Sequence, residues 1–279
     1  MPGKWRLIRR WLTLVVCLLL TAGCSAFYKG EEQSVTKTLA AVTSDPAAAA
    51  ASSPAPLTIR QGKAIPILYY HGISDTTYGL EEMFVRPAEF EEQMKYLHDH
   101  GYTPITFDDF EMKAARLEKP VVITFDDGYR DNLINAYPIL SRYGFPAVIF
   151  LCTDFIGGGS ILTVQDIKQM TGLISFQSHT LDHGSLTALS PEEAERQLKQ
   201  SQSILRELTG QPVNAIAYPT GYYNSITLEI TARYYKYGVL AGGGVFYFDP
   251  AKQLEMVRVY IPRGLNLSGF EQKLLGLTL

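Results

Sequence analysis

Two adjacent carboxylates, Asp126 and Asp127, are followed at once by Gly128, and farther along His179 and His183 stand four residues apart. Neighbouring carboxylates repel, which raises one pKa when they are buried, and a bound cation removes that cost. Two imidazoles and one carboxylate make a three-ligand metal site with open positions, the donor set of catalytic Zn²⁺ or non-haem Fe²⁺. The i, i+4 spacing of the two histidines puts them on one face if the segment is a helical turn. Asp126 and Asp127 point differently because they are neighbours, so one can ligate while the other addresses a water whose pKa the cation lowers toward ~7. Singly, an Asp-Asp pair reads as a loop or a cap and an HxxxH as a solvated helix face. Their value as a site depends on what positions them.

From Ala64 onward short apolar runs alternate with amphipathic stretches. Strands are expected at 65–70, 121–125, 147–151, 174–177, 213–218, 238–241 and 257–261. Helices are expected at 87–100, 131–143, 163–170, 190–209, 225–235 and 268–275. Ser190-Pro191-Glu192-Glu193 has the form of an N-cap, a first-turn proline and a capping-box acid, and Gly210 ends that helix. Alternation of this kind predicts a parallel sheet covered by helices. With about seven strands, the fold class is α/β, a distorted (β/α) barrel, with an open doubly wound sheet as the alternative. In such folds ligands bind beyond the carboxyl ends of the strands. His71, Asp126-Asp127, His179 with His183, and Pro219-Thr220-Gly221 each follow a predicted strand, so four distant segments converge on one rim. Of the five histidines, His98 and His100 remain, and they read as a solvated helix end.

The chain has 279 residues, 46% of them hydrophobic and 19% charged, so it can bury a core. A net charge of −3 argues against nucleic acid as a partner. Three cysteines without a CxxC pair give neither a disulfide framework nor a zinc ribbon. Residues 1–23 combine four basic residues with a short apolar run, the pattern of a secretory signal. L-T-A-G-C (20–24) resembles the lipobox of bacterial lipoproteins, which implies a lipidated Cys24, a membrane anchor and a location on the outer side of a bacterial membrane in the cell envelope. Residues 24–63, rich in Ala, Ser and Pro, read as a flexible tether, and 64–279 as the folded domain.

T-F-D-D-G (124–128) and H-T-L-D-H (179–183) resemble the first two motifs of the NodB-like polysaccharide deacetylases, carbohydrate esterase family four. The resemblance implies Asp126 as general base and Asp127, His179 and His183 as ligands of Zn²⁺ or another divalent transition metal. The third motif, usually R-x-P-x-G, stands here as Ala217-Tyr218-Pro219-Thr220-Gly221, with Ala217 in place of the Arg that holds the base. The backbone N–H of Thr220 remains as an oxyanion donor. Upstream, I-L-Y-Y-H-G-I (67–73) is similar to the group that deacetylates poly-β-1,6-N-acetylglucosamine, where the catalytic histidine comes from the N-terminal strand, which maps to His71. The motif core starts near residue 119. The implied activity is hydrolysis of N-acetyl groups in an N-acetylglucosamine polysaccharide, releasing acetate. Tyr129, Pro219, Gly221 and Tyr222 are candidates for sugar contact. Two rivals are a peptidoglycan N-acetylglucosamine deacetylase and a non-catalytic carbohydrate-binding lipoprotein. An Fe²⁺ oxygenase shares the ligand set but not the paired base.

Overall fold

In a computed structural model, which describes residues 58–277, seven parallel strands close into a ring. They are β1 (Ile67–Tyr70), β2 (Pro120–Phe125), β3 (Ala147–Leu151), β4 (Ile174–Ser178), β5 (Ala215–Ala217), β6 (Tyr237–Gly243) and β7 (Met256–Tyr260). Each pairs with the next, and β1 closes the ring by pairing with both β2 and β7. The ring is the barrel expected from the sequence, and it excludes the open sheet.

The helices follow the strands on the outside: α1 (Pro87–Asp99), α2 (Phe110–Arg116), α3 (Tyr137–Tyr143), α4 (Val164–Met170), α5 (Pro191–Thr209), α6 (Ser225–Thr231) and α7 (Leu267–Leu274). The N-caps hold, but Glu193 does not reach back to Ser190 N, since its carboxylate pairs with Arg196 instead. Ser190 Oγ accepts from Glu193 N, Thr163 and Asp166 form a reciprocal box, and Gly210 takes the left-handed conformation that ends α5. The helix expected over 131–143 is interrupted: Asn132–Ala136 winds as a π-turn ahead of α3, and Pro138 stands in the first turn of α3. Short pieces escaped the pattern. Thr103–Pro104 adds an edge to β2, and Gly72–Ile73 pairs with Phe84–Val85. Two-residue strands carry no period to read.

Strand alternation divides the apolar residues into two cores. Ile67, Val122, Val148, Phe150, Ala215, Val239 and Met256 point into the barrel, and Phe107 and Phe110 close it from one end. Leu68, Tyr70, Ile123, Phe125, Ile149, Phe176 and Ile216 point outward against the helices.

The strand expected at 213–218 and the helix expected at 225–235 shorten to Ala215–Ala217 and Ser225–Thr231, and the edge of the folded domain and the path of β6 differ as well. The tether expected to run to residue 63 is already packed at Ile59, which is buried with the inner core, and Lys63 Nζ donates to Ala114 O. Residues 1–57, with the signal and Cys24, lie outside the described residues. β6 also leaves the barrel wall: Val239 faces Met256 but Gly243 faces Arg258, so β6 carries two extra residues as a bulge.

Candidate active site

The four rim segments do converge. Asp126 follows β2, and its N–H donates to Tyr70 O at the end of β1, one residue before His71. Asp127 Oδ1 stands 3.6 Å from His179 Nε2 and 3.5 Å from His183 Nε2. One donor atom from each of Asp127, His179 and His183 lies within 4.8 Å of the others.

His179 Nδ1 is 2.8 Å from Ala217 O. A carbonyl can only accept, so Nδ1 carries the proton and Nε2 offers its lone pair to the cluster. Burial lowers the His183 pKa and the nearby His179 lowers it further, against Asp127 and Asp126. His183 is therefore neutral at pH 7, as a ligand must be. The donor set, its tautomer and its spacing all fit a divalent cation.

His179 and His183 do not share a helical face. Residues 179–184 form a turn in which Thr180 and His183 have φ of 70° and 65°. Gln197, fully buried on α5, fixes this turn by accepting from Leu181 N and donating to Asp182 Oδ2. Asp127 (φ 70°) and Thr220 (φ 63°) complete the positive-φ residues other than glycine among the described residues, and all four lie in the rim loops. Strained backbone of this kind costs of order 1–3 kcal/mol per residue and gathers at functional sites. Gly128 (φ 79°) turns the chain after the carboxylates where a Cβ would meet Leu151 Cδ2 at 2.2 Å.

The Arg missing at Ala217 is supplied from another strand. Arg258, fully buried on β7, grips Asp126 with both arms: Nη1 to Oδ1 at 2.8 Å and Nη2 to Oδ2 at 2.7 Å. Its Nε donates to Leu240 O, a carbonyl in the β6 bulge. Burial pushes the Asp126 pKa up, but the Arg258 charge and hydrogen bonds outweigh it and leave the value at about 2. The arrangement is a planar bidentate pair, which orients the carboxylate as well as charging it.

A relative from Bacillus subtilis, YxkH, named for polysaccharide deacetylation, is 36% identical over 212 residues, which is 74% of each chain. The chain belongs to the polysaccharide deacetylase family. The family pattern itself matches residues 113–238. Among solved structures, a polysaccharide deacetylase from Bacillus cereus is similar at 34% identity and a TM-score of 0.70, over 76% of this chain and 69% of that one. The Streptococcus pyogenes deacetylase PplD, solved with acetate, matches at 31% and 0.71, over 76% of this chain and 99% of that one. The poly-β-1,6-N-acetyl-D-glucosamine N-deacetylase of Staphylococcus aureus is 30% identical over 164 residues, 52% of this chain and 57% of that one. Family membership makes this deacetylase a hydrolase of carbon–nitrogen bonds.

The other expected site residues of this family member fall as follows. His71 is almost wholly buried, with Tyr69 Oη 3.0 Å from its Nε2 and its own carbonyl held by Asn132 Nδ2. Burial takes its pKa down to about 4 against the pull of Asp126 and Asp127. Thr220 is exposed on the turn after β5. Pro219 is buried, and Gly221 packs on Ala241, where a Cβ would stand 2.7 Å from Ala241 Cβ. Tyr222 projects into solvent. Tyr129 is half-buried against Phe84 and Tyr78, with Asp127 near its hydroxyl. Burial and Asp127 push that phenol up to about 12, so it stays protonated. His98 and His100 are exposed at the end of α1, as expected. Arg258, Tyr69, Asn132 and Gln197 were not foreseen. Arg258 alone carried a signal, a cation between Val257 and Val259 in a strand whose alternation points it inward.

Proposed function

We propose that this chain is a metal-dependent N-deacetylase acting on N-acetylglucosamine residues of an extracellular poly-β-1,6-N-acetylglucosamine-like polysaccharide, held at the outer face of a bacterial membrane through a lipid on Cys24. The observation that carries the reaction is the Arg258–Asp126 pair beside the Asp127–His179–His183 donors, a charged base next to three ligands. The name of the Staphylococcus aureus relative supports the choice of glycan.

Asp127, His179 and His183 would hold the cation, for which two imidazoles and a carboxylate favour Zn²⁺. When bound, it lowers the pKa of a water toward ~7 and offsets negative charge on the acetamide oxygen. Asp126, near 2, is ionised throughout the working range and accepts the proton of the attacking water. The Thr220 N–H donates to the oxyanion. His71, near 4, is neutral at rest. Burial disfavours charge on the resting His71 ring, and His71 serves as the general acid that gives a proton to the departing nitrogen. The products are acetate and a free amine.

The test is acetate release from β-1,6- and β-1,4-linked N-acetylglucosamine tetramers by the metal-loaded protein. Faster release from the β-1,6 tetramer is expected. Preference for the β-1,4 tetramer would overturn the glycan assignment, and no release from either by metal-bound protein would overturn the enzyme reading.

A further inference from the structure

His71 is held unlike the ligand histidine. Where His179 has a carbonyl on Nδ1, His71 Nδ1 is buried with no hydrogen-bond partner among the described residues. The orientation of the His71 ring rests on its other nitrogen, and the group there is the Tyr69 hydroxyl, 3.0 Å from Nε2. The rings of Tyr69 and His71 also touch, 4.7 Å between centroids.

Tyr69 has a second attachment. The Arg258 guanidinium lies over its ring, 3.8 Å from the centroid. That guanidinium is the one that grips Asp126. The Tyr69 ring is itself backed by Tyr260, 5.5 Å away, at the position paired with it across β1 and β7. One side chain on the inner face of β1 therefore touches both the histidine and the arginine that holds the base. This cation–π contact lies out of water, where it is strongest, and the stacked ring also keeps solvent off one face of the ion pair. Burial raises the phenol pKa well above its ordinary value, so the hydroxyl stays protonated.

We propose that Tyr69 is a positioning residue of the deacetylation: its hydroxyl fixes the His71 ring, and its ring covers the Arg258 guanidinium that holds Asp126. The role rests on the reaction proposed above. It acts through His71 and Arg258 and assigns no contact between Tyr69 and the sugar.

Tyr69→Phe separates the two attachments, because it keeps the ring on Arg258 and removes only the hydroxyl. Acetate release from the glucosamine tetramer is expected to fall about tenfold in kcat, the worth of one hydrogen bond lost to an ionisable ring, with KM and bound metal unchanged. The loss is expected to be smaller on an aryl acetate ester, whose leaving group needs little protonation. In a His71→Ala background the same substitution is expected to do nothing further, since its effect passes through His71. In ¹⁵N NMR spectra of the metal-loaded protein, the His71 Nε2 signal is expected to move in Tyr69→Phe while those of His179 and His183 stay.

An equal fall in kcat with and without His71 would overturn the positioning role, and so would unchanged His71 signals or full tetramer activity in Tyr69→Phe. If wild type releases no acetate from any glucosamine oligomer, the deacetylase reading falls. The NMR comparison needs no substrate and still decides whether Tyr69 holds His71.

Discussion

Replacing Arg258 by Met keeps most of the side-chain volume and removes the charge, which leaves Asp126 buried without its partner. Breaking a buried pair this way costs about 3–5 kcal/mol, and the bonds lost to Thr124 Oγ1 and Leu240 O add roughly 1 kcal/mol each. The pH dependence has an opposite sign in the two proteins. In wild type the folded Asp126 sits at about 2, against ~3.9 in an unfolded chain. Roughly 2–3 kcal/mol of stability is therefore present above pH ~4 and lost as the pH falls toward 2. In Arg258→Met burial, the largest influence, is opposed only by the weaker pull of His179 and His71, so the folded value rises above ~3.9 and the carboxyl prefers its proton. Stability missing at pH 7 then returns as the pH falls through that raised value. Urea denaturation of the chelator-treated proteins at steps between pH 7 and 4 reads this directly. Wild type should be nearly flat in its Asp126 contribution, the variant should gain stability on acidification, and Asp126→Asn in the variant should recover most of the loss at pH 7. A variant as stable as wild type at pH 7, with the same profile, would refute the reasoning that Arg258 is what makes the buried base tolerable.

Asp127→Ala, His179→Ala and His183→Ala should each lose bound metal, measured by elemental analysis, whereas Asp126→Asn should keep it and lose turnover by 10²-fold or more. Gly128→Ala should lower the melting temperature, with a cost of at least about 1–3 kcal/mol, since it places a Cβ against Leu151 Cδ2 in a left-handed turn. Cys24→Ala should release the domain from the membrane fraction or leave the signal uncleaved; a mature, membrane-bound variant would reject the anchor.

The strand ends are legible because parallel β/α chains put chemistry there, and that rule alone places Asp126, Asp127, His179 and His183 on the rim. What the sequence concealed is long-range or irregular. Arg258 sits in a β-branched strand far from Asp126, and only ring closure brings β7 within reach of β2 through the barrel interior. The spacing of His179 and His183 suggested a helix, but the turn is made by Ser178 and Thr180 hydroxyls and by Gln197, which satisfy backbone groups that a helix would have paired. Tyr69 read as an apolar strand residue, and its partners on β1 and β7 follow from register alone. The barrel class could be read from alternation, whereas the bulge of β6 could not, because extra residues in a strand leave the apolar count unchanged.

The strand that ends just before His71 is the first of the seven ring strands in sequence, yet in the ring it lies between the last strand and the second. A closed ring has no beginning. Seven strands can be strung on a linear chain from seven starting points without altering a single neighbour, and the rim would be the same in each. A chain opening at Pro120 and finishing on Ile67–Tyr70 would present the histidine after every other motif. The order in which Asp126, His179, Thr220 and His71 are met along the sequence is thus an accident of where the circle was cut. Only the cyclic order is under chemical constraint.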